Sequence, residues 1–110
     1  MIAETIKLIE GRIQNAESLS PERRRELLEL LAKLKAEAGE LAKTHSEQAE
    51  SIVSFAQVTT REATRAAQDP QLLKLSTTGL RKSVEEFEKS HPRLAQVVNT
   101  ISTTLSNSGI

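Results

Sequence analysis

Apolar residues recur at every third or fourth position along nearly the whole chain. Ile2, Ile6, Ile9, Ile13 and Ala16 are spaced 4, 3, 4, 3 and share one stripe, while Glu4, Lys7, Glu10, Arg12 and Gln14 fall on other faces. This pattern predicts an amphipathic helix over about 2–17. Ser18-Leu19-Ser20-Pro21-Glu22 then marks a stop and a restart. The Ser20 hydroxyl suits an N-cap, where it accepts from free backbone N–H groups. Pro21 suits the first helical position, where its missing N–H has no consequence.

A second stripe follows without a strong break: Leu27, Leu31, Leu34, Ala38, Leu41, His45, Gln48, Ile52, Phe55 and Thr59. It predicts one long helix over 21–68, roughly 70 Å at the α-helical rise. Gly39, and the capping-box spacing of Thr44-His45-Ser46-Glu47, are the two places where this helix would break. Asp69-Pro70 repeats the cap-and-proline device of Ser20-Pro21. Leu73, Thr77, Leu80, Val84, Phe87, His91, Leu94, Val98, Ile101 and Leu105 then keep the same spacing to near the C-terminus. Pro92 interrupts this run, which predicts helices over 70–89 and 91–107, nearly collinear and joined at a kink. Gly109 and Ile110 fit a closing Schellman motif packed on Leu105.

These lengths predict an all-α fold in one domain: an antiparallel hairpin or three-helix, coiled-coil-like bundle around one long central helix. A two-helix hairpin cannot enclose its own seam, and the Ala- and Thr-rich stretch from Ser54 to Gln68 offers little to bury. A homodimer is therefore expected, with another helical protein as a possible partner. The seam residues Leu27, Leu31, Leu34, Leu41, His45, Gln48, Ile52, Phe55, Phe87 and His91 are the candidate interaction positions. Within them, His45 and Gln48 form a polar step of the kind that fixes register or oligomeric state.

Composition narrows the functional classes. Lys and Arg number 15 and Asp and Glu 15, so there is no net charge with which to track phosphates. Only Phe55 and Phe87 are aromatic, and base stacking is equally poorly supplied. There is no Cys, hence no disulfide and no thiolate chemistry. The opening residues lack the basic and apolar regions of a signal peptide, and no apolar run reaches membrane-spanning length. A cytoplasmic location without membrane association is the expectation.

The segment Phe87-Glu88-Lys89-Ser90-His91-Pro92-Arg93-Leu94, with the terminal Gly109-Ile110, resembles a small bacterial family known as domain of unknown function 4404. The likeness lies in the F-E-x-x-H-P-x-L segment, the Gly-Ile end, the opening amphipathic helix and the Leu-rich second helix. It is closer toward the C-terminus than over the first two helices. The resemblance implies a helical fold and a bacterial source, and brings no activity.

No motif reaches the level of an enzyme. A Gly-rich phosphate loop, a nucleophile elbow and HExxH are all absent. His91 with Glu88 is the nearest approach to an acid–base or metal pair, but a metal site needs three or four ligands and the only other histidine is His45. No metal or cofactor is expected, and His91 reads best as a packed residue. Arg23-Arg24-Arg25 could meet an anion or nucleic acid at a helix N-terminus. Successive residues point about 100° apart, and Glu22, Glu26 and Glu29 stand beside them, so an internally paired surface is the better reading. The function expected is a non-enzymatic, self-associating scaffold or adaptor. The alternative is a small regulatory binder of nucleic acid or an anionic ligand through those arginines.

Overall fold

A computed structural model describes residues 1–108, and the closing Schellman motif expected at Gly109 and Ile110 lies outside the described residues. It contains five α-helices: α1 (Ile2–Asn15), α2 (Pro21–Ala42), α3 (Ser46–Ala63), α4 (Pro70–Val84) and α5 (Pro92–Ser108). A single 3₁₀ turn, Glu85–Phe87, follows α4, and no strand occurs among the described residues. All three prolines open helices. Ser20 Oγ accepts from the Arg23 N–H at 3.1 Å. The Asp69 carboxylate accepts from the N–H groups of Gln71 at 3.0 Å and Leu72 at 3.3 Å. Pro92 follows His91 directly at the start of α5.

The continuous helix expected over 21–68 is broken at residues 43–45. The N–H groups of Thr44 and His45 both turn back onto the Leu41 carbonyl, at 3.1 and 2.8 Å, and the chain reverses. Gly39 lies inside α2, four residues before the break begins. The Thr44 hydroxyl contacts His45 Nδ1 at 2.8 Å instead of capping α3. A three-residue turn can preserve the 3–4 count of apolar positions, so the spacing alone does not distinguish a straight helix from a folded one. Reversal wins because it lets the chain bury its own seam.

The helix expected over 70–89 likewise stops at Val84, and Pro92 is not a kink between collinear pieces. Arg81 Nη2 donates to Thr103 Oγ1 at 3.1 Å, and Ser106 Oγ to Thr77 Oγ1 at 3.5 Å, so α5 runs antiparallel to α4. The molecule measures 38 × 24 × 21 Å, far short of a 70 Å arm.

Helices α2 to α5 form an up-and-down ring. Each packs on its neighbour in the chain, and α5 returns to α2, while α1 lies across α2 and α3. Helix α3 touches all the others. The α3 part of the stretch expected to bury little, residues 54–63, therefore stands at the centre, because Ala56, Thr59, Thr60 and Ala63 are small enough to admit neighbours from several sides. The hydroxyls of Thr59 and Thr60 donate to the Phe55 and Ala56 carbonyls at 2.7 and 2.8 Å, which removes the penalty of burying them. Among the described residues no buried side-chain polar atom lacks a partner.

Candidate interaction surface

The ten seam positions separate into two groups. Leu27, Leu31, Leu34, Leu41, Ile52 and Phe87 are buried in one core shared with Ile6, Ile9, Ile13 and the inner faces of α4 and α5. In this fold they serve the chain itself and are not available to a second molecule. His45, Gln48 and Phe55 are exposed, and His91 is half-buried.

The polar step at His45 and Gln48 is the α2–α3 turn and the first turn of α3. No apolar seam continues through it, which removes the physical basis for a register-fixing layer. Both histidines flank Phe87 at one end of the bundle. The His45 and His91 rings meet the Phe87 ring edge-on, with centroids 5.3 and 5.9 Å away. Ser90 Oγ lies 3.0 Å from His91 Nδ1. The F-E-x-x-H-P-x-L segment is thus the α4–α5 reversal: Phe87 and Leu94 point into the core, His91 leans on Phe87, and Pro92 opens α5. No group of three or more His, Cys, Asp or Glu suited to a metal occurs among the described residues.

The triple arginine is largely committed within the chain. Arg24 donates to the carbonyls of Ile13 at 3.2 Å, Ala16 at 2.6 Å and Leu19 at 3.3 Å, closing the C-terminal end of α1. A cation there also opposes the negative end of the α1 dipole. Arg23 donates to the Thr104 carbonyl at 3.1 Å and ties α2 to α5. Arg25 is exposed.

Large apolar side chains remain outside at Met1, at Leu8 of α1 and, in greater number, on α3 and α4. Phe55 is 40% exposed and Leu75 69%, and Val58 and Leu72 are also exposed. The Phe55 ring lies over Gly79, whose missing side chain makes room for it. Leu72, Leu75 and Gly79 recur at helical spacing, so the two leucines continue along α4 on the face that receives Phe55. Phe55 and Val58 line one groove on α3, and helical spacing sets Leu72 and Leu75 on the adjoining face of α4, so the four fall along one strip of the α3–α4 pair. Toward the N-terminus of α3 the strip passes into a shallow groove lined by Glu47, Glu50, Ser51, Ser54, Phe55 and Val58. Toward the C-terminus stand Arg61 and Arg65, both over the buried Glu62 carboxylate, at 3.8 and 2.8 Å. The hydrogen bond from Arg65 to Glu62, and the charge of that carboxylate, raise Arg65 above the ordinary arginine range.

Sequence reasoning included Phe55 but missed Val58, Leu72 and Leu75. The signal was present: Glu47, Ser51, Ser54, Val58, Arg61 and Arg65 form a second row at 4, 3 spacing, acidic at one end and basic at the other. It was masked by the stronger Leu-rich stripe beside it.

The fold is that of a small up-and-down helical bundle with an added N-terminal helix and an exposed face on α3 and α4. The chain belongs to the family described as Domain of unknown function (DUF4404), whose model matches residues 27–110. The matched span begins inside α2 and runs through α3, α4 and α5, leaving α1 and the start of α2 outside it. No curated protein and no solved structure matches the chain. Among the described residues no helix is long and apolar enough to cross a membrane.

Proposed function

We propose that this protein is a non-enzymatic, self-associating helical scaffold or adaptor, working in a bacterial cytoplasm as a homodimer. The observation that carries this reading is the strip of Phe55, Val58, Leu72 and Leu75, which stays exposed after the chain has enclosed its own seam. Contiguous exposed apolar surface rimmed by polar groups is a mark of protein contact. The reason for a dimer is therefore different from the one the sequence offers. A seam too long for one chain is not what calls for a partner; an uncovered outer face is. Binding of nucleic acid through the basic start of α2 is less favoured, because Arg23 and Arg24 already point their donors at backbone carbonyls. Sedimentation velocity of the full chain across the micromolar range tests the proposal. A concentration-dependent rise to twice the 12.1 kDa chain mass is expected, and a species of 12.1 kDa throughout overturns it.

A further inference from the structure

We infer that the outer face of α3 pairs antiparallel with the same face of α3 in a second copy of this chain, held in register by Glu47 and Glu50 opposite Arg61 and Arg65 of the partner. This rests on the self-association just proposed and specifies its geometry.

The exposed row on α3 carries its charges in an order suited to a two-fold axis. Glu47 and Glu50 stand in the first turns, and among the described residues neither forms an ion pair within the chain. Arg61 and Arg65 stand at the other end over the Glu62 carboxylate, with Asp69 close enough to act on Arg65 and Arg12 reaching the Arg61 carbonyl, so three cations against two carboxylates leave that end net positive. Arg61 is well exposed. When two such helices run antiparallel, each acidic end faces a basic end, and both halves of the contact are satisfied by the same residues. That is the requirement of an isologous interface. A parallel pairing would set like charges against each other, which is unfavourable.

Side-chain size fits the same geometry. The middle of the row is Ser51, Ser54, Phe55 and Val58, so two small residues and two apolar ones lie near the axis. Small residues allow two helices to approach closely, and Phe55 and Val58 supply the area removed from water. Antiparallel pairing centred between Ser54 and Val58 brings Ser54 against Val58 of the partner, Glu47 against its Arg65 and Ser51 against its Arg61, with Glu50 next to that arginine. Leu72 and Leu75 border the contact from α4. The occupant chosen is a second copy because the complement this face requires, basic then apolar then acidic, is the face itself reversed.

The test is a charge-swap mixing experiment on the full chain. The variants are Glu47→Arg/Glu50→Arg and, separately, Arg61→Glu, which leaves Arg65 to hold Glu62. Masses are read by sedimentation equilibrium, and far-UV circular dichroism confirms that each variant is helical. Each variant alone sets like charges together in both halves of the contact and should weaken the dimer about 30-fold or more, given the worth of exposed charge pairs counted twice by symmetry. Mixed in equal amounts, the two variants keep every parental pair in one half of the contact and set the new arginines against the new carboxylate, beside the remaining Arg65, in the other, so a heterodimer should form more tightly than either variant pairs with itself. Single variants that dimerise as tightly as the parent, or a mixture that stays monomeric, overturn the α3 pairing while leaving self-association intact. A parent chain that is monomeric throughout overturns both. If Arg61→Glu fails to fold, Arg61→Gln paired with the Glu47→Arg/Glu50→Arg chain gives the reading instead: one half of the mixed contact keeps every parental pair, so a heterodimer weaker than the parent but tighter than either variant alone is expected, and a mixture with no such preference overturns the pairing.

Discussion

Replacing Gly79 with alanine should fail to stabilise the protein, although the same change at Gly39 or Gly11 should succeed. All three glycines lie within helices at ordinary negative φ. In a helix interior alanine is favoured over glycine by about 1 kcal/mol, because less backbone entropy is lost on folding. Around Gly39 and Gly11 an added Cβ meets nothing within 4 Å, so that gain should appear in full, as a rise of several degrees in Tm. At Gly79 the same Cβ would stand 2.6 Å from Phe55 Cε1 and 2.9 Å from Cδ1. Carbon atoms rest about 3.5–4.0 Å apart, so the ring must retreat by roughly 1 Å. It can do so by leaving its rotamer, at about 0.5–1.5 kcal/mol. Turning outward instead gives up the burial it has, about 1–2 kcal/mol for a phenylalanine somewhat more than half covered. Either route offsets the helical gain, and Gly79→Ala should fall between neutral and about 1 kcal/mol destabilising. In a Phe55→Ala background the obstacle is gone, and Gly79→Ala should recover its gain, a coupling of about 1–2 kcal/mol in a double-mutant cycle. The assay is urea unfolding followed by far-UV circular dichroism, since the chain has no Trp or Tyr to report by fluorescence. A Gly79→Ala variant as stabilised as Gly39→Ala, with no coupling to Phe55, would refute the seating of the ring on α4.

Three further outcomes follow from the contacts described. Arg24→Met should destabilise by about 1–3 kcal/mol, because the carbonyls of Ile13 and Ala16 at the α1 end, and of Leu19 in the connection to α2, lose a charged donor; Arg25→Met should stay within about 0.5 kcal/mol, and equal effects at the two positions would contradict the closing of α1 by Arg24. Asp69→Ala should lower stability by about 1 kcal/mol through loss of the α4 cap, while Pro92→Ala should be nearly neutral, since Pro92 opens α5 and no helical hydrogen bond waits for its N–H; chemical denaturation checks both. His45→Leu should leave Tm and oligomeric state almost unchanged, because His45 sits in an exposed turn, and a marked rise in Tm would restore it as a buried polar step.

The inward-facing residues were legible from spacing alone. Ile6, Ile9 and Ile13 on α1, Leu27, Leu31, Leu34 and Leu41 on α2, and Leu80, Val84, Leu94, Val98 and Leu105 on the later helices are all buried as their period requires. So were the starts of α2 and α4, because a cap residue followed by proline acts within one turn of backbone. These are local properties, set by which face a residue occupies and which N–H groups a side chain can reach. The chain reversals at 43–45 and 85–91 were not legible, since neither contains glycine at positive φ and each keeps the apolar count in step. They are decided by the area that folding back removes from water, a sum over helices far apart in sequence. The same tertiary choice put the small-residue stretch of α3 at the centre and turned Arg23 and Arg24 into internal ties. It left Phe55, Val58, Leu72 and Leu75 outside, because a closed ring of four helices has only one inner face for each of its members.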